Sequence, residues 1–277
     1  MEITRRTFIG GVLAFWGWCS LSISTEIDSI PFAARIFLNG DDSETDLAET
    51  LRQLSKIGFQ GIELSGDFVC RAKEIKRYLD ETGLVCVATH VGVSDLLGAR
   101  FDEVAQSNQI LQNQNLIVSG GLDRPLGRKG SNRFTSYFFN RLAYKAGDVG
   151  LRIGLCSRPG HFAQIEDGLT AWDSFFRQTA PCVIAELDIK ACTAGKTDPL
   201  KVIQGTSERV ELISIPDDEL FEEDERKFDW PRFGHFCRTV GNIKYFVLEL
   251  EANNGLLHAV EKIAGRFETV KDVMGCL

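Results

Sequence analysis

The sequence predicts an α/β fold, a (β/α)8 TIM barrel, as a single domain over residues 30–277 after an N-terminal signal segment. Three observations predict this fold. Apolar runs of 4 to 8 residues, rich in Val, Ile, Leu and Phe, recur eight times and are typical of strands buried on both faces of a parallel sheet. The segments between them are long enough for one crossover helix each. Eight such units in about 245 residues match the size of this barrel.

The predicted strands also show where function should be sought, because chemistry in such barrels takes place at the carboxyl ends of the strands. The strands are predicted over residues 32–38 (FAARIFL), 61–64 (GIEL), 84–91 (LVCVATHV), 115–120 (NLIVSG), 151–156 (LRIGLC), 182–189 (CVIAELDI), 209–215 (RVELISI) and 245–251 (YFVLELE).

The predicted helices follow from apolar spacing and from residues that begin or end a helix. The first runs from about Ser43 to Ile57, because Asp42 or Ser43 can cap its N-terminus, Gly58 stops it and leucines recur at helical spacing within it. The remaining helices are predicted over about residues 69–82, 99–112, 134–148, 166–178, 198–204, 230–240 and 256–267.

Composition limits the classes of partner. The chain has 277 residues, 44% of them apolar and 25% charged, with a net charge of −8. A duplex nucleic acid requires a basic footprint, so the charge argues against a nucleic-acid partner. A small molecule or a cation is compatible with it. Since no GxGxxG motif follows a strand, we do not expect a nucleotide cofactor.

Seven cysteines follow the signal segment, and no pair has the CxxC spacing of a zinc ribbon or a redox motif. Cys86, Cys156 and Cys182 lie within predicted strands and are expected to be small buried apolar residues. We expect mostly reduced thiols, with one disulfide possible.

Residues 1–24 resemble a twin-arginine export signal. Arg5 and Arg6 precede Thr7, Phe8 and an apolar stretch, VLAFWGWCSLSIS, and a positive segment followed by an apolar one is typical of export signals. The small residues around Ser24 favour cleavage there. We therefore predict an exported, periplasmic protein. If the segment stays uncleaved, it is expected to be a membrane anchor and the protein's one contact with the membrane.

Five motifs in order resemble the xylose isomerase-like barrel family, and within it the sugar phosphate isomerase/epimerase group. They are IGFQGIEL (57–64), ETGLVCVATHVGV (81–93), AGDVGLRIG (146–154), ELDIKACTAGKTDPLKVI (186–203) and YFVLELE (245–251). The resemblance implies a carbohydrate or polyol substrate and a divalent metal, Mn, Mg, Co or Zn, at the barrel mouth. Such a metal polarises a carbonyl or hydroxyl group while a carboxylate or His abstracts the neighbouring carbon-bound proton.

The resemblance implies metal ligands from a Glu near strand five, an Asp ending strand six, a His ending strand seven and a Glu ending strand eight. Asp188 and Glu249 match the strand-six and strand-eight ligands. Ser214 stands where the family has the strand-seven His, so a good donor to a borderline metal is lost. In strand five the family signature is replaced by LCSRPGHF, in which His161 falls at the Glu position unless the loop is shifted and Glu166 supplies the carboxylate.

The remaining site residues are expected to act on the substrate. Glu63 and His90 match family positions at the ends of strands two and three and, with Glu166, are expected to serve as acid or base. Arg158, His161 and Ser214 are expected to bind the substrate. Arg158 would repel a cation, attract a carboxylate or phosphate, or replace the cation by its own guanidinium.

Two functions remain open. The first is a sugar or polyol isomerase or epimerase that works by metal-dependent proton transfer. The second is a catalytically degraded barrel that binds a carbohydrate or an anion without metal or turnover. The apurinic endonuclease branch of the same superfamily needs a His-rich site and a basic face, which four histidines and a charge of −8 do not provide.

Overall fold

The computed structural model describes residues 29–38, 44–120, 131–165, 168–206, 208–216, 228–240, 242–250 and 255–275. Eight parallel strands form a closed barrel in chain order, and the first strand pairs with the last. The predicted (β/α)8 fold is therefore confirmed. The predicted signal segment, residues 1–24, lies outside the described residues. In the part of the chain that the structure describes, no helix has the length and apolar character needed to cross a membrane.

All eight predicted strands are present, with ends that differ by up to two residues from those predicted. Their bounds are β1 (Phe32–Leu38), β2 (Gly61–Gly66), β3 (Val85–Gly92), β4 (Asn115–Gly120), β5 (Arg152–Cys156), β6 (Ile184–Asp188), β7 (Val210–Pro216) and β8 (Tyr245–Glu249). Cys86 and Cys156 are buried as predicted, but the expectation for Cys182 is wrong. Cys182 is exposed because β6 begins two residues after it.

The helices lie in the connections between the strands. They are α1 (Glu44–Ile57), α2 (Ala72–Thr82), α3 (Gly98–Leu111), α4 (Ser131–Gly147), α5 (Ala171–Gln178), α6 (Ile189–Ala194), α7 (Pro199–Gly205), α8 (Trp230–Val240), α9 (Leu256–Ala264) and α10 (Phe267–Val273). Short 3₁₀ turns follow β3 and β5.

Three helix predictions need correction. The helix α5 begins later than predicted because the Thr170 hydroxyl accepts a hydrogen bond from the backbone of Asp173 and caps it there. The helix α6 was not predicted, and it begins where Asp188 caps it. The last predicted helix, 256–267, ends at Ala264, and a separate helix begins at Phe267.

The barrel interior begins with an apolar layer. Its members are Ala33, Val87, Ala88, Ile117, Cys156, Ile184, Leu212 and Val247. Gly154 lies in this layer, and a Cβ atom there would approach Ile117 to 2.5 Å and Ile184 to 2.8 Å, so the packing requires glycine. The opposite faces of the strands pack against the helices in the larger core.

A polar layer follows, one step nearer the carboxyl ends of the strands. Because side chains alternate along a strand, the residue two positions beyond an interior residue also faces the interior. This step leads from the apolar layer to Arg35, His90, Glu186, Ser214 and Glu249, and from Gly61 to Glu63. The fold thus places six polar side chains beneath the barrel mouth.

Candidate functional site

Arg35, on β1, contacts three carboxylates from three other strands. Its Nε donates to Glu63 Oε2 on β2 at 2.5 Å. Its Nη1 donates to Glu249 on β8, and its Nη2 donates to Glu186 on β6. The Arg35 side chain is 14% exposed, whereas those of Glu63 and Glu186 are fully buried. The guanidinium is therefore the common partner of the acidic groups in the barrel.

His90, on β3, contacts two of the same carboxylates. Its Nε2 lies 2.9 Å from Glu186 Oε2 and 3.2 Å from Glu63 Oε1. The second contact is an ion pair without hydrogen-bond geometry, and Glu63 Oε1 is a buried oxygen with no hydrogen-bond partner. Each of these two carboxylates thus has one oxygen on Arg35 and the other facing His90.

The electrostatics of the cluster follow from burial and ion pairing. Burial by itself would lower the pKa of His90, but the charges of Glu63 and Glu186 raise it to about 9. Burial would raise the pKa of Glu63, but the charges of Arg35 and His90 lower it to about 2. At neutral pH, His90 is therefore protonated and Glu63 is ionised.

Glu249 is the carboxylate of this cluster that solvent reaches. It ends β8, and its side chain is 32% exposed. The hydroxyl of Ser214, which is fully buried on β7, donates to Glu249 Oε1 at 2.8 Å. Phe37 lies two positions beyond Arg35 on β1 and is 54% exposed. The carboxyl end of the barrel therefore presents a carboxylate and an aromatic ring to the solvent.

Asp188 has a structural contact at the end of β6. Its Oδ1 accepts a hydrogen bond from the backbone N–H of Ala191 at 2.9 Å and so caps α6. Its own backbone N–H donates to the Ser157 hydroxyl at 2.9 Å, which joins the ends of β5 and β6. The side chain is half-buried, so its carboxylate retains some contact with solvent.

Arg158 and His161 lie in the connection that follows β5. Arg158 is exposed, and its backbone N–H donates to His161 Nδ1 at 3.1 Å. Burial, with a smaller effect from the charge of Arg158, lowers the pKa of His161 to about 4. His161 is therefore neutral at pH 7. Since Nδ1 accepts a hydrogen bond, its proton is on Nε2.

The structure brings four of the predicted site residues into one cluster: Glu63, His90, Ser214 and Glu249. Asp188, Arg158 and His161 lie at strand ends and in the β5 connection, where they form the local hydrogen bonds described above. Glu166 lies outside the described residues. Arg35 and Glu186 were not among the predicted site residues. The alternation of β6 could have identified Glu186, since it precedes Asp188 by two residues on the same face.

The expected metal position does not fit a divalent ion. Asp188 caps a helix, Ser214 stands where the resemblance implied a His and donates a hydrogen bond to Glu249, and Glu249 is bound by Arg35. Among the described residues, one group of three potential ligands, Glu63, His90 and Glu186, has its ligand atoms within 4.8 Å of one another. Asp188 and Glu249 do not belong to this group.

By position alone, Glu63, His90 and Glu186 could hold a metal ion. The same side chains are already engaged, since Arg35 binds one oxygen of each carboxylate and the high pKa of His90 keeps a proton on its ring at neutral pH. A metal would have to displace that proton. Arg35 and His90 therefore pair with both carboxylates, and Glu63 Oε1 remains the one of their four oxygens without a hydrogen bond.

Comparison with known proteins agrees on the fold. No family model matches the chain, and no curated protein matches it. A sugar phosphate isomerase/epimerase from Parabacteroides distasonis is similar with a TM-score of 0.71 and 18% identity, over 89% of this chain and 96% of that one. A D-allulose 3-epimerase from Methylomonas sp., in complex with D-allulose, has a TM-score of 0.68 and 15% identity, over 88% and 97%. A family 2 AP endonuclease from Brucella melitensis has a TM-score of 0.64 and 18% identity, over 85% and 98%. At these identities the similarity establishes the barrel fold.

Proposed function

We propose that this protein binds a sugar or polyol at the carboxyl-terminal mouth of its barrel and isomerises or epimerises it by proton transfer. The observation that carries the proposal is the cluster of three carboxylates and one histidine around Arg35, with Glu249 exposed at the mouth. Barrels of this class place their chemistry at that end. The structural similarity to sugar isomerases and epimerases supports the choice of substrate class.

Glu249 is the proposed acid–base residue. It is the reachable carboxylate of the cluster, since the other two are fully buried. As a base it takes the proton from the carbon next to a carbonyl, which leaves an enediolate. Return of the proton to the former carbonyl carbon, together with transfer of the hydroxyl proton between the two enediolate oxygens, gives the isomer. Return to the opposite face of the same carbon gives the epimer. No oxidant or reductant is needed.

Asp188 is the proposed second acid–base group. It ends β6, which is separated from Glu249 on β8 by one strand, and its carboxylate is half-buried. Epimerisation requires a proton donor on the face opposite the base, and two carboxylates from different strands can supply it. Exposed Arg158 would bind an anionic substituent. Buried His161 would position Arg158, since its Nδ1 accepts a hydrogen bond from the Arg158 backbone N–H. Glu63 and His90 are positioning residues in this scheme, because they hold Arg35 and Glu186 from beneath the mouth.

The resemblance to metal-containing isomerases led us to expect a divalent metal. Because the residues at the expected position do not fit one, no step of the proposed reaction passes through a metal. Polarisation of the sugar carbonyl is assigned to hydrogen-bond donors of the protein.

Deuterium exchange tests the proposed reaction across a panel of candidate sugars. The protein is incubated in D₂O with D-fructose, D-allulose, D-tagatose and D-xylulose, each of which carries a carbonyl next to a carbon-bound proton, and the sugars are analysed by NMR. Proton transfer is expected to introduce deuterium at the reacting carbon of at least one sugar, and Glu249→Gln should abolish it. Glu211→Gln is the matched control, since Glu211 pairs with Arg152 at the start of β5, away from the mouth. Exchange that is unchanged in Glu249→Gln would contradict the assignment of the base.

A second candidate function is carbohydrate binding without turnover. It is favoured by one observation: all three carboxylates of the cluster are paired with Arg35, so a base must act from within an ion pair. Saturation-transfer NMR with the same sugars separates the two candidates. Binding without deuterium incorporation would favour the binding protein, and binding with incorporation would favour the enzyme.

A further inference from the structure

We infer that the guanidinium of Arg35 takes the place of a divalent cation in this barrel, so that the sugar site works without a metal. The inference rests on the proposed function for its chemical role at the site. Its structural content, a protein cation that pairs with all three carboxylates of the cluster, is independent of any turnover.

The geometry around Arg35 supports this inference. A divalent metal in a barrel gathers carboxylates from several strands onto one centre, and Arg35 does this for β2, β6 and β8 with one guanidinium. The planar guanidinium has five N–H donors, and three different nitrogens are used, one for each carboxylate. All three nitrogens of the guanidinium therefore take part in the contacts.

The permanent charge of Arg35 also supports the inference. A guanidinium does not lose its proton under any condition in which the protein is folded. If Arg35 left the interior, two fully buried carboxylates would share His90 as their remaining cationic contact, which is strongly unfavourable. A metal between Glu63, His90 and Glu186 would have to share both carboxylates with this fixed positive charge.

Ser214 on β7, at the position where the resemblance implies a His, supports the inference as well. Ser214 faces Glu249 and donates a hydrogen bond to the same oxygen that Arg35 Nη1 contacts. A hydroxyl is a weak ligand for a borderline metal but a good donor to a carboxylate. Ser214 and Arg35 together thus complete a set of hydrogen-bond donors around Glu249.

The role at the site follows from the donors that remain. Arg35 has two N–H groups beyond those in the three contacts, and its side chain is 14% exposed. Such donors would bind a sugar carbonyl and stabilise the negative charge of an enediolate, as a metal would, in a largely water-excluded site. Turnover should therefore be insensitive to EDTA.

Metal content of the unaltered protein is the first test. The full chain is purified without chelator, dialysed separately against Mn²⁺, Co²⁺ and Zn²⁺, passed over a desalting column and analysed by mass spectrometry. The expected content is far below one ion per chain. Near-stoichiometric metal that is lost in Glu63→Gln would overturn the inference.

Replacement of the cation is the second test. Arg35→Met keeps an unbranched apolar side chain and removes the guanidinium with its charge, and Arg152→Met is the matched control at the other end of the barrel. We expect a large fall in Tm for Arg35→Met alone. Recovery of Tm with Mn²⁺ or Co²⁺ would show that the carboxylates accept a metal once the guanidinium is gone. A fall in Tm without recovery would show that, of the cations tested, the guanidinium alone stabilises the cluster. An Arg35→Met variant that is as stable as the unaltered protein without metal would refute the inference.

The two tests are separate from the test of function. If Arg35→Met does not fold, the metal content of the unaltered protein still decides. A metal-free protein without deuterium exchange on any sugar would leave this inference standing and remove the proposed enzyme activity. A metal-containing protein that exchanges deuterium would support the proposed enzyme activity and overturn this inference.

Discussion

Glu186 joins Arg35 to His90: its Oε1 accepts from Arg35 Nη2, and its Oε2 lies 2.9 Å from His90 Nε2. The carboxylate is fully buried, so neither oxygen is hydrated. Each of the two cations is therefore held partly through the same acidic group. This relationship makes Glu186 the residue whose neutralisation should affect both partners.

The first prediction concerns the pKa of His90. Glu186→Gln should lower it from about 9 toward the ordinary value of 6.5, because one of the two carboxylates that raise it is lost while burial remains. An NMR titration of the histidine ring measures the change. Glu211→Gln should leave the His90 titration unaltered. If Glu186→Gln leaves the pKa near 9, the contact does not control the protonation of His90.

The second prediction is the pH dependence of stability. The raised pKa of His90 contributes stability that is fully present below about pH 6.5 and is lost as the pH rises through about 9. The lowered pKa of Glu63 contributes stability that is present above about pH 4.5 and is lost as the pH falls through about 2. The lowered pKa of His161 contributes stability that is present above about pH 6.5 and is lost as the pH falls through about 4. The free energy of unfolding should thus be highest near pH 6.5.

The alkaline limb can be tested by itself. The shift of His90 corresponds to roughly 3 kcal/mol of unfolding free energy at most. Urea unfolding at several pH values should show a fall between about pH 7 and pH 9 in the unaltered protein and a flatter profile in His90→Gln. Equal slopes in the two proteins would assign the alkaline loss to other groups.

The third prediction separates the two roles of Asp188. Asn caps a helix about as well as Asp, and Ala does not. Asp188→Ala should therefore cost about 1 kcal/mol of stability through α6, whereas Asp188→Asn should be nearly neutral. Both variants should reduce deuterium exchange on a sugar substrate at least tenfold, since both lose the carboxylate. Full exchange in Asp188→Asn would restrict the residue to its capping role.

The fourth prediction concerns the mouth. Phe37 is 54% exposed two positions beyond Arg35, where an aromatic ring can pack against the apolar face of a sugar. Phe37→Ala should weaken sugar binding several-fold with little effect on Tm. Val85→Ala is the control, because Val85 is 47% exposed at the amino end of β3. Similar affinities for both variants would exclude Phe37 from the binding surface.

The fifth prediction concerns localisation, which we propose to be periplasmic on the basis of Arg5, Arg6 and the apolar stretch that follows. A reporter fused after residue 30 should be exported, and replacement of both arginines by lysine should block export. Comparison of the reporter's mass before and after export measures cleavage near Ser24. A reporter that remains in the cytoplasm would contradict the proposal, and one that stays uncleaved in the membrane would support the anchor.

Much of the fold could be predicted from the sequence. The apolar runs correspond to all eight strands, and Gly58 and Gly83 stand directly after α1 and α2, as helix-stop residues should. The errors are local. The helix α6 is a short helix directly after β6 and has no apolar period of its own, and the start of α5 depends on a hydrogen bond between Thr170 and Asp173 that a pattern does not reveal.

The candidate site could be predicted in part. Strand-end carboxylates and histidines can be identified by sequence, and Glu63, His90, Ser214 and Glu249 do lie together. Asp188 and Glu249 were expected to share a metal, but they lie in separate contacts. The guanidinium expected near the mouth was Arg158, which is exposed, and the one within the cluster is Arg35. A lone arginine in the apolar run FAARIFL gives no sign of its partners.

By itself the sequence determined the eight alternating units, the order of the strands and the end of the barrel at which polar residues gather, because apolar periodicity and turn residues act over a few positions. The tertiary structure decided which cation the carboxylates share. Arg35 contacts groups that are 28, 151 and 214 residues away in the chain. Glu63 lies on the neighbouring strand, but the contact with Glu249 forms only when the last strand pairs with the first. Barrel closure is a property of the whole chain rather than of any segment.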